Sequence, residues 1–244
     1  MVSLKQKKSV AGFFDSFAES YDNTAFYNNL GTRYVSEIDE KILKKYIENT
    51  NDSSLHILDI GVGTGRNIAL FKSYPNAEIT GIDISEKMMK KAREKYSDDP
   101  RIKLLKSNLA EKNDFEKDYF DIMLCIRVIK YINNWPHFLE EVHKILKPGG
   151  VFVLEISNLY SVQFFGRNKK CNYSLFKLEE VLDILRKTGF SLINIEGGLR
   201  IPFPLYRKCN SEGQLAIMKA LETTLRLIFG KKLFSRNLFI ICKK

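Results

Sequence analysis

The sequence is short of the groups that most often build metal centres and cross-linked frames. Among 244 residues there are four cysteines, Cys125, Cys171, Cys209 and Cys242, with no C-x-x-C pair. Such scattered thiols exclude a disulfide framework and read as reduced, in a cytoplasmic protein. Three histidines, His56, His137 and His143, leave little material for a zinc centre, so no metal site is expected. No apolar run approaches the roughly 18 residues of a membrane span. The opening MVSLKQKKSVAGFFDSF is basic but has neither an apolar core nor a small-residue cleavage site, which argues against a secretory signal. With 44% hydrophobic and 28% charged residues, 14 Gly and 6 Pro, the chain is neither collagenous, coiled-coil nor disordered. Acids are scarce in the last fifth. From Leu199 to Lys244 ten Lys/Arg stand against Glu212 and Glu222, within a net charge of +10 for the whole chain. A tail of that sign attracts nucleic acid, anionic lipid or anionic small molecules, or simply solvates a surface.

What is present is an alternation. The first fifty residues carry apolar positions at helical spacing: Phe13, Phe14, Phe17 and Tyr21, then Ile38, Ile42, Leu43, Tyr46 and Ile47. After the polar break Asn51–Ser54, short apolar runs predict strands at 56–60, 77–82, 102–105, 120–125, 151–156, 190–195 and 237–242. Between them lie amphipathic stretches. A helix over 67–73 precedes one capped by Ser85 with inner face Met88, Met89, Ala92 and Tyr96. Another starts at Pro136 and stops at Lys147-Pro148-Gly149-Gly150, and a fourth ends at Gly189. Strands alternating with helices imply an α/β fold, a Rossmann-like, doubly wound, seven-stranded and mostly parallel sheet. We expect a single domain over 1–244, with a helical N-terminal cap (1–50), a ligand-binding half (51–157) and a half facing the second substrate (158–244). That last half holds a helical insertion before the final strand, and the two tail strands are expected as an edge pair.

The strongest motif is Leu58-Asp59-Ile60-Gly61-Val62-Gly63-Thr64-Gly65-Arg66-Asn67, which follows a strand and opens a helix. Gly61 permits a tight turn, and Gly63 lets backbone approach a ligand. An acid, Asp83, ends the next strand 22 residues after Gly61, where a carboxylate can accept from both hydroxyls of a ribose. A dinucleotide fingerprint wants G-x-G-x-x-G, but here the third glycine comes one place early and Arg66 takes its position. No G-K-[ST] follows, so this is not a phosphate-binding P-loop. A nucleoside bearing an amino-acid tail fits the loop better than a pyrophosphate.

LDIGVGTGRN, GIDIS-x-x-M, FDIMLCIRVIKYI and LKPGG before a strand together resemble the class I S-adenosylmethionine-dependent methyltransferases. The likeness is to the broad small-molecule type that includes quinone-biosynthesis methyltransferases, and FFDSFAESYDN is similar to the opening of that group. It covers most of residues 13 to 197. The resemblance implies S-adenosylmethionine as cofactor. Asp59 and the loop Gly61, Val62, Gly63, Thr64 and Gly65 would hold its methionine end. Asp83 would take the ribose hydroxyls, Ile84 and Met88 would sandwich the adenine, and Asn108 with Leu109 would meet the adenine amino edge. Cys125 and Ile126 would line the sulfonium side, and Tyr21 would close over the ligand. Each has a plainer reading as turn glycine, strand-end acid or core side chain.

A methyl donor that is already activated needs positioning more than a universal catalytic residue. Many relatives of this type carry a His-His pair after the fourth strand. Here Lys130-Tyr131 stands there, so Tyr131 is the candidate for orienting an acceptor, and Lys130 or Arg127 for meeting an anionic one. The fourth strand ends in Cys-Ile-Arg-Val rather than Asn/Asp-Pro-Pro-Tyr, which speaks against amino methylation of nucleic acid bases by that route. The expected acceptor is a small molecule, hydrophobic or anionic, chosen by 160–173, where Phe164 and Phe165 precede Arg167, Lys169 and Lys170, and by the tail insertion. There, Leu215, Met218, Leu221, Leu225 and Ile228 are read as one helical face flanked by Lys219, Arg226, Lys231 and Lys232. Such a helix packs on the sheet, covers an acceptor or makes peripheral contact with a membrane; packing is favoured. Two alternatives are an RNA or protein methyltransferase using the basic tail, which the lack of a recognised RNA module disfavours, and a non-catalytic cofactor-binding module.

Overall fold

A computed structural model of the chain describes residues 9–47, 54–161, 173–230 and 232–244. Cys171, the 164–170 stretch, Lys231 and most of the Asn51–Ser54 break lie outside the described residues. A short helix α1 (Val10–Asp15) and two brief turns lead into α2 (Leu30–Ile47). Then follow β1 (His56–Ile60), β2 (Glu78–Asp83), α3 (Glu86–Tyr96), β3 (Ile102–Lys106), β4 (Phe120–Cys125), α4 (Trp135–Ile145), β5 (Leu146–Ser157), α5 (Leu178–Thr188), β6 (Ser191–Gly197), α6 (Phe203–Tyr206), α7 (Glu212–Phe229) and β7 (Asn237–Lys243).

The strands form one sheet in the order β3-β2-β1-β4-β5-β7-β6. Six run parallel, and β7 alone runs against them. The tail strands form the expected antiparallel pair at one end of the sheet, with the order reversed from the chain. β7 lies between β5 and β6, its Asn237 beside Ser157 and its Lys243 beside Val151, so β6 is the outer strand on that side and β3 on the other. Every residue of β7 but Lys243 is buried, as its run NLFIIC requires. Along β4, Ile122 and Leu124 join one core layer and Met123 and Cys125 the other, the period-two alternation of a sheet covered on both faces. Leu43, Ile47, Phe71 and Met89 cover the first face; Phe138, Leu139, Val142, Val181 and Leu185 cover the second.

Local chemistry sets the helix ends. Ser85 caps α3 by accepting from the Met88 N–H, and α5 ends at Gly189, whose φ of 104° suits a residue without Cβ. Two expectations shift. The helix expected over 67–73 is a single 3-10 stretch, Asn67–Phe71. The LKPGG stop is drawn into β5, where the pairing with β4 slips between Phe120 and Ile122.

The inner face of α7 also differs from expectation. Leu215 and Glu222 are buried and Met218 and Leu225 half-buried, while Leu221 and Ile228 face solvent. Glu222 is inside because its carboxylate accepts from the Arg200 and Ile201 amides, each at 2.8 Å, and from the Tyr206 hydroxyl at 2.7 Å. A buried acid so satisfied ties α7 to the 200–206 segment.

The chain turns back between β1 and β4, the point where strand order reverses. A crevice outside the carboxyl ends of the strands is dictated there.

Candidate functional site

A cavity of about 820 Å³ occupies that crevice. Its floor is the loop after β1, whose three glycines have three different reasons. Gly61 has φ +71°, and a Cβ there would sit 2.1 Å from Cγ2 of Val128. Gly65 has φ +80°, and a Cβ would press on the Tyr96 ring at 2.5 Å, while the Tyr96 hydroxyl donates to the Gly65 carbonyl at 2.8 Å. Gly63, with φ +56°, meets only the Gly61 carbonyl, at 4.0 Å. It leaves open a space that a side chain would fill, at the cavity wall.

Asp83 stands at the end of β2. The Gly63 N–H donates to its Oδ2 at 2.9 Å and the Ser85 N–H to its Oδ1 at 2.8 Å. The two amides fix the carboxylate plane and leave each oxygen a further lone pair, the arrangement a vicinal diol can use. Burial pushes the Asp83 carboxyl up, against the amides of Ser85, Gly63 and Ile84 that pull it down. Ile84, Met88 and Leu109 make the wall beside it apolar. Asn108 lines the same wall, and its Oδ1 accepts from the Ala110 N–H at 3.2 Å.

The N-terminal segment lies across the opening. Ser9, Val10, Ala11, Phe14 and Tyr21 all line the cavity. Two carboxylates hold the segment down. Asp15 accepts from the Ser85 hydroxyl at 2.6 Å and the Lys87 N–H at 3.1 Å, at the N-terminus of α3. Asp22 accepts from the Thr64 hydroxyl at 2.6 Å. Tyr21 packs edge-on against Phe14, Phe17 and Phe26, and burial raises its phenol. It is both aromatic core and cavity wall.

Of the residues singled out from sequence, Tyr21, Gly61, Gly63, Asp83, Ile84, Met88, Asn108, Leu109, Ile126 and Tyr131 meet around this one cavity. Five of the expected cofactor residues do not reach its wall, nor does Lys130, whose ammonium lies over the Tyr131 and Tyr173 rings. Val62 is buried in the core layer of the first face, Thr64 is buried with its hydroxyl on Asp22, and Gly65 supports Tyr96. Cys125 turns into the core below β4, where burial raises its thiol. Asp59 lies fully buried behind the loop. Its Oδ1 accepts from the Asn67 side-chain amide at 3.3 Å, and its Oδ2 has no partner among the described residues. Burial pushes this carboxyl up to about 7, with the Asn67 bond opposing.

At the far end, Tyr131 packs edge-on to Phe14 at 5.4 Å and Tyr173 at 6.4 Å. Arg127 is on the wall, but its guanidinium is committed inward. It donates to Asp39 of α2, lies 3.9 Å from the Glu155 carboxylate and stacks over Phe26. Burial works against its charge, yet Asp39 and Glu155 outweigh that and raise it. It is a structural cation first, which the sequence did not reveal. Sequence reasoning also missed Val128, Asp15 and Asp22. The two acids did lie in the FFDSFAESYDN motif, but only their contacts give them a task. No histidine lines the cavity, and the described residues hold no cluster of His, Cys, Asp and Glu suited to a metal.

Comparisons with known proteins bear on this geometry. A family described as a methyltransferase domain matches residues 58–154. The demethylmenaquinone methyltransferase of Chlorobaculum tepidum is 30% identical over 157 residues, 64% of this chain and 62% of that enzyme. The chain thus matches about three fifths of the length of the curated relatives of this kind. An uncharacterized protein of Methanocaldococcus jannaschii is 32% identical over 191 residues, covering 74% of this chain and 82% of the other. Phosphoethanolamine N-methyltransferase 2 of Haemonchus contortus, solved with phosphomonomethylethanolamine and S-adenosylhomocysteine, superposes with a TM-score of 0.67 at 20% identity. It covers 97% of this chain and 60% of that one.

Proposed function

We propose that the chain is a class I S-adenosylmethionine-dependent methyltransferase and transfers the methyl group of that cofactor to an oxygen, nitrogen or carbon of a small hydrophobic or anionic acceptor. One observation carries the reading. The Asp83 carboxylate, oriented by two backbone amides, faces an apolar slot of Ile84, Met88 and Leu109 beside the bare backbone of Gly63. A carboxylate with free lone pairs suits the ribose hydroxyls, the slot suits a purine face, and the side-chain-free backbone suits the amino-acid tail. The buried, singly satisfied Asp59 holds an unpartnered acceptor oxygen behind the loop, and a ligand that carries an ammonium and a sulfonium would favour its ionised form.

The sulfonium supplies an electrophilic methyl and a neutral leaving group when the cofactor is bound. The protein's share is then orientation and dryness. Phe14 and Tyr21 exclude water from above, Ile126 and Val128 from below, and such positioning is worth on the order of 7–11 kcal/mol in rate. Tyr131, the polar aromatic at the far wall, orients the acceptor. With no imidazole on the wall, an acceptor that is already anionic, such as a phenolate or carboxylate, or one with a free amine, places the least demand on a base.

Calorimetry on the intact chain tests the cofactor reading: micromolar binding of S-adenosylmethionine, reduced at least about tenfold by Asp83→Ala. Absence of binding to the wild-type chain overturns it. A labelled-methyl assay across phenols, quinols, amines and carboxylates, with RNA and protein as controls, identifies the acceptor class. Tyr131→Phe is expected to lower turnover while leaving cofactor affinity in place.

A further inference from the structure

The outer half of α7 and the turn after it present apolar side chains to solvent, uncovered by any other element among the described residues. Leu227 is 81% exposed, Ile217 70% and Ile228 65%, and Leu221, Phe229, Leu233 and Phe234 are also exposed. Ile217, Leu221 and Ile228 share one stripe at helical spacing, on the side of α7 away from Leu215 and Glu222. At the tip, Phe229 packs edge-on against Phe234 at 5.1 Å, so the exposed apolar surface is continuous from helix to turn.

The charge around this surface has one sign. From Thr223 to Phe234 the sequence holds Arg226, Lys231 and Lys232 and no acid. Glu222, the nearest acid in the chain, is spent internally on two amides and Tyr206. Arg226 and Lys232 are exposed. The tip is also held firmly. The Arg200 guanidinium donates to the Gly230 carbonyl, and to that of Leu233 at 3.2 Å. Its position follows from topology. The tip leads straight into β7, whose first residue pairs with Ser157 at the end of β5, so it lies at the carboxyl ends of the parallel strands, the end at which the crevice opens.

We propose that this tip docks the protein on a bilayer surface bearing anionic headgroups, with Leu227, Ile228, Leu233 and Phe234 entering the acyl boundary and Arg226 and Lys232 meeting the headgroups. Aliphatic side chains ringed by cations fit such a surface. They fit nucleic acid poorly, because Leu and Ile offer nothing to stack on a base. They also fit a second copy poorly, because a symmetric pairing of this face brings like charges together. The inference is independent of the acceptor reading. If both hold, an acceptor dissolved in the membrane reaches the crevice without crossing water.

Flotation of the intact chain with phosphatidylglycerol–phosphatidylcholine vesicles tests this, against vesicles of phosphatidylcholine alone. Binding to the anionic vesicles that weakens with salt is expected. The paired substitution Leu227→Asp with Ile228→Asp should reduce it at least about tenfold, with cofactor affinity by calorimetry unchanged. A second pair, Arg226→Glu with Lys232→Glu, should have the same effect without touching the apolar residues. The proposal is overturned if the wild-type chain floats with neither vesicle, or if both pairs float as it does. It is also overturned if sedimentation shows the Leu227/Ile228 pair abolishing a dimer in a chain that ignores vesicles, or if RNA retention is the property the two pairs remove.

Discussion

The glycines of the loop after β1 separate folding from binding at single positions. All three adopt positive φ, so any side chain is strained there. Gly61 and Gly65 also face Val128 and Tyr96 at distances that no Cβ tolerates, whereas Gly63 faces space. Gly61→Ala and Gly65→Ala should each cost on the order of 2–4 kcal/mol in chemical denaturation, strain and overpacking together. Gly63→Ala should cost nearer 1 kcal/mol, from φ alone, yet abolish cofactor binding in calorimetry. Equal stability losses at all three positions would contradict the distinction. Asp59 is the other residue with a measurable signature. Its carboxyl titrates near 7 folded against an ordinary 3.8. The unfolded chain therefore ionises first as pH rises. The stability contributed by Asp59 is complete below about pH 4, is lost progressively to about pH 7, and stays absent above that, a difference on the order of 2–4 kcal/mol. Asp59→Asn should flatten that decline in urea unfolding between pH 4 and 8. A decline of the same size in the variant would assign it elsewhere.

Among the elements, the N-terminal segment has the most to lose and the most to do. Its α1 buries no residue completely, and its hold on the body combines Asp15 at the head of α3, Asp22 at Thr64 and Glu19 at Lys91 with the buried Phe26 ring under Arg66 and Arg127. Because Phe14 and Tyr21 form one wall of the cavity, the same contacts that dock the segment complete the site. Asp15→Ala together with Asp22→Ala should leave the global unfolding midpoint little changed. They should raise hydrogen exchange across 9–27 and weaken cofactor binding about tenfold. Unchanged exchange over that segment would mean the aromatic cluster alone holds it. The segment was legible as helical from Phe13, Phe14, Phe17 and Tyr21, but its function was not, because the partners of Asp15 and Asp22 lie about 40 to 70 residues away in sequence. The α7 helix shows the converse failure. Periodicity placed Leu221 and Ile228 inside on hydrophobicity alone. The structure instead buries Glu222, because the amides of Arg200 and Ile201 remove the penalty that normally keeps a carboxylate out.

Over the whole molecule, charge is distributed in two ways that the net value of +10 conceals. Some of it is interior. Arg127, Asp39 and Glu155 form a buried group that ties α2 to the ends of β4 and β5, and Arg200 and Arg236 are buried as well. Of the remaining tail cations, Lys219, Arg226 and Lys232 are exposed on α7 and the turn after it, next to exposed apolar residues. No helix among the described residues is long and apolar enough to cross a membrane, so the exposed apolar tip of α7 is a surface feature.

From residue order alone came everything that local physics controls. The alternation of apolar runs and amphipathic stretches set the α/β class. Gly61, Gly63 and Asp83 marked the residues that line one cavity, because a turn, a bare backbone and a strand-end acid are each written at fixed spacing. Tertiary structure alone decided what depends on distant partners: β7 threading between β5 and β6, Arg127 claimed by Asp39, and Asp59 held behind the loop rather than on the cavity wall. The same holds for the face of α7 left to solvent. Hydrogen bonds and salt bridges between residues far apart in the chain have no period, and only the folded arrangement pairs them.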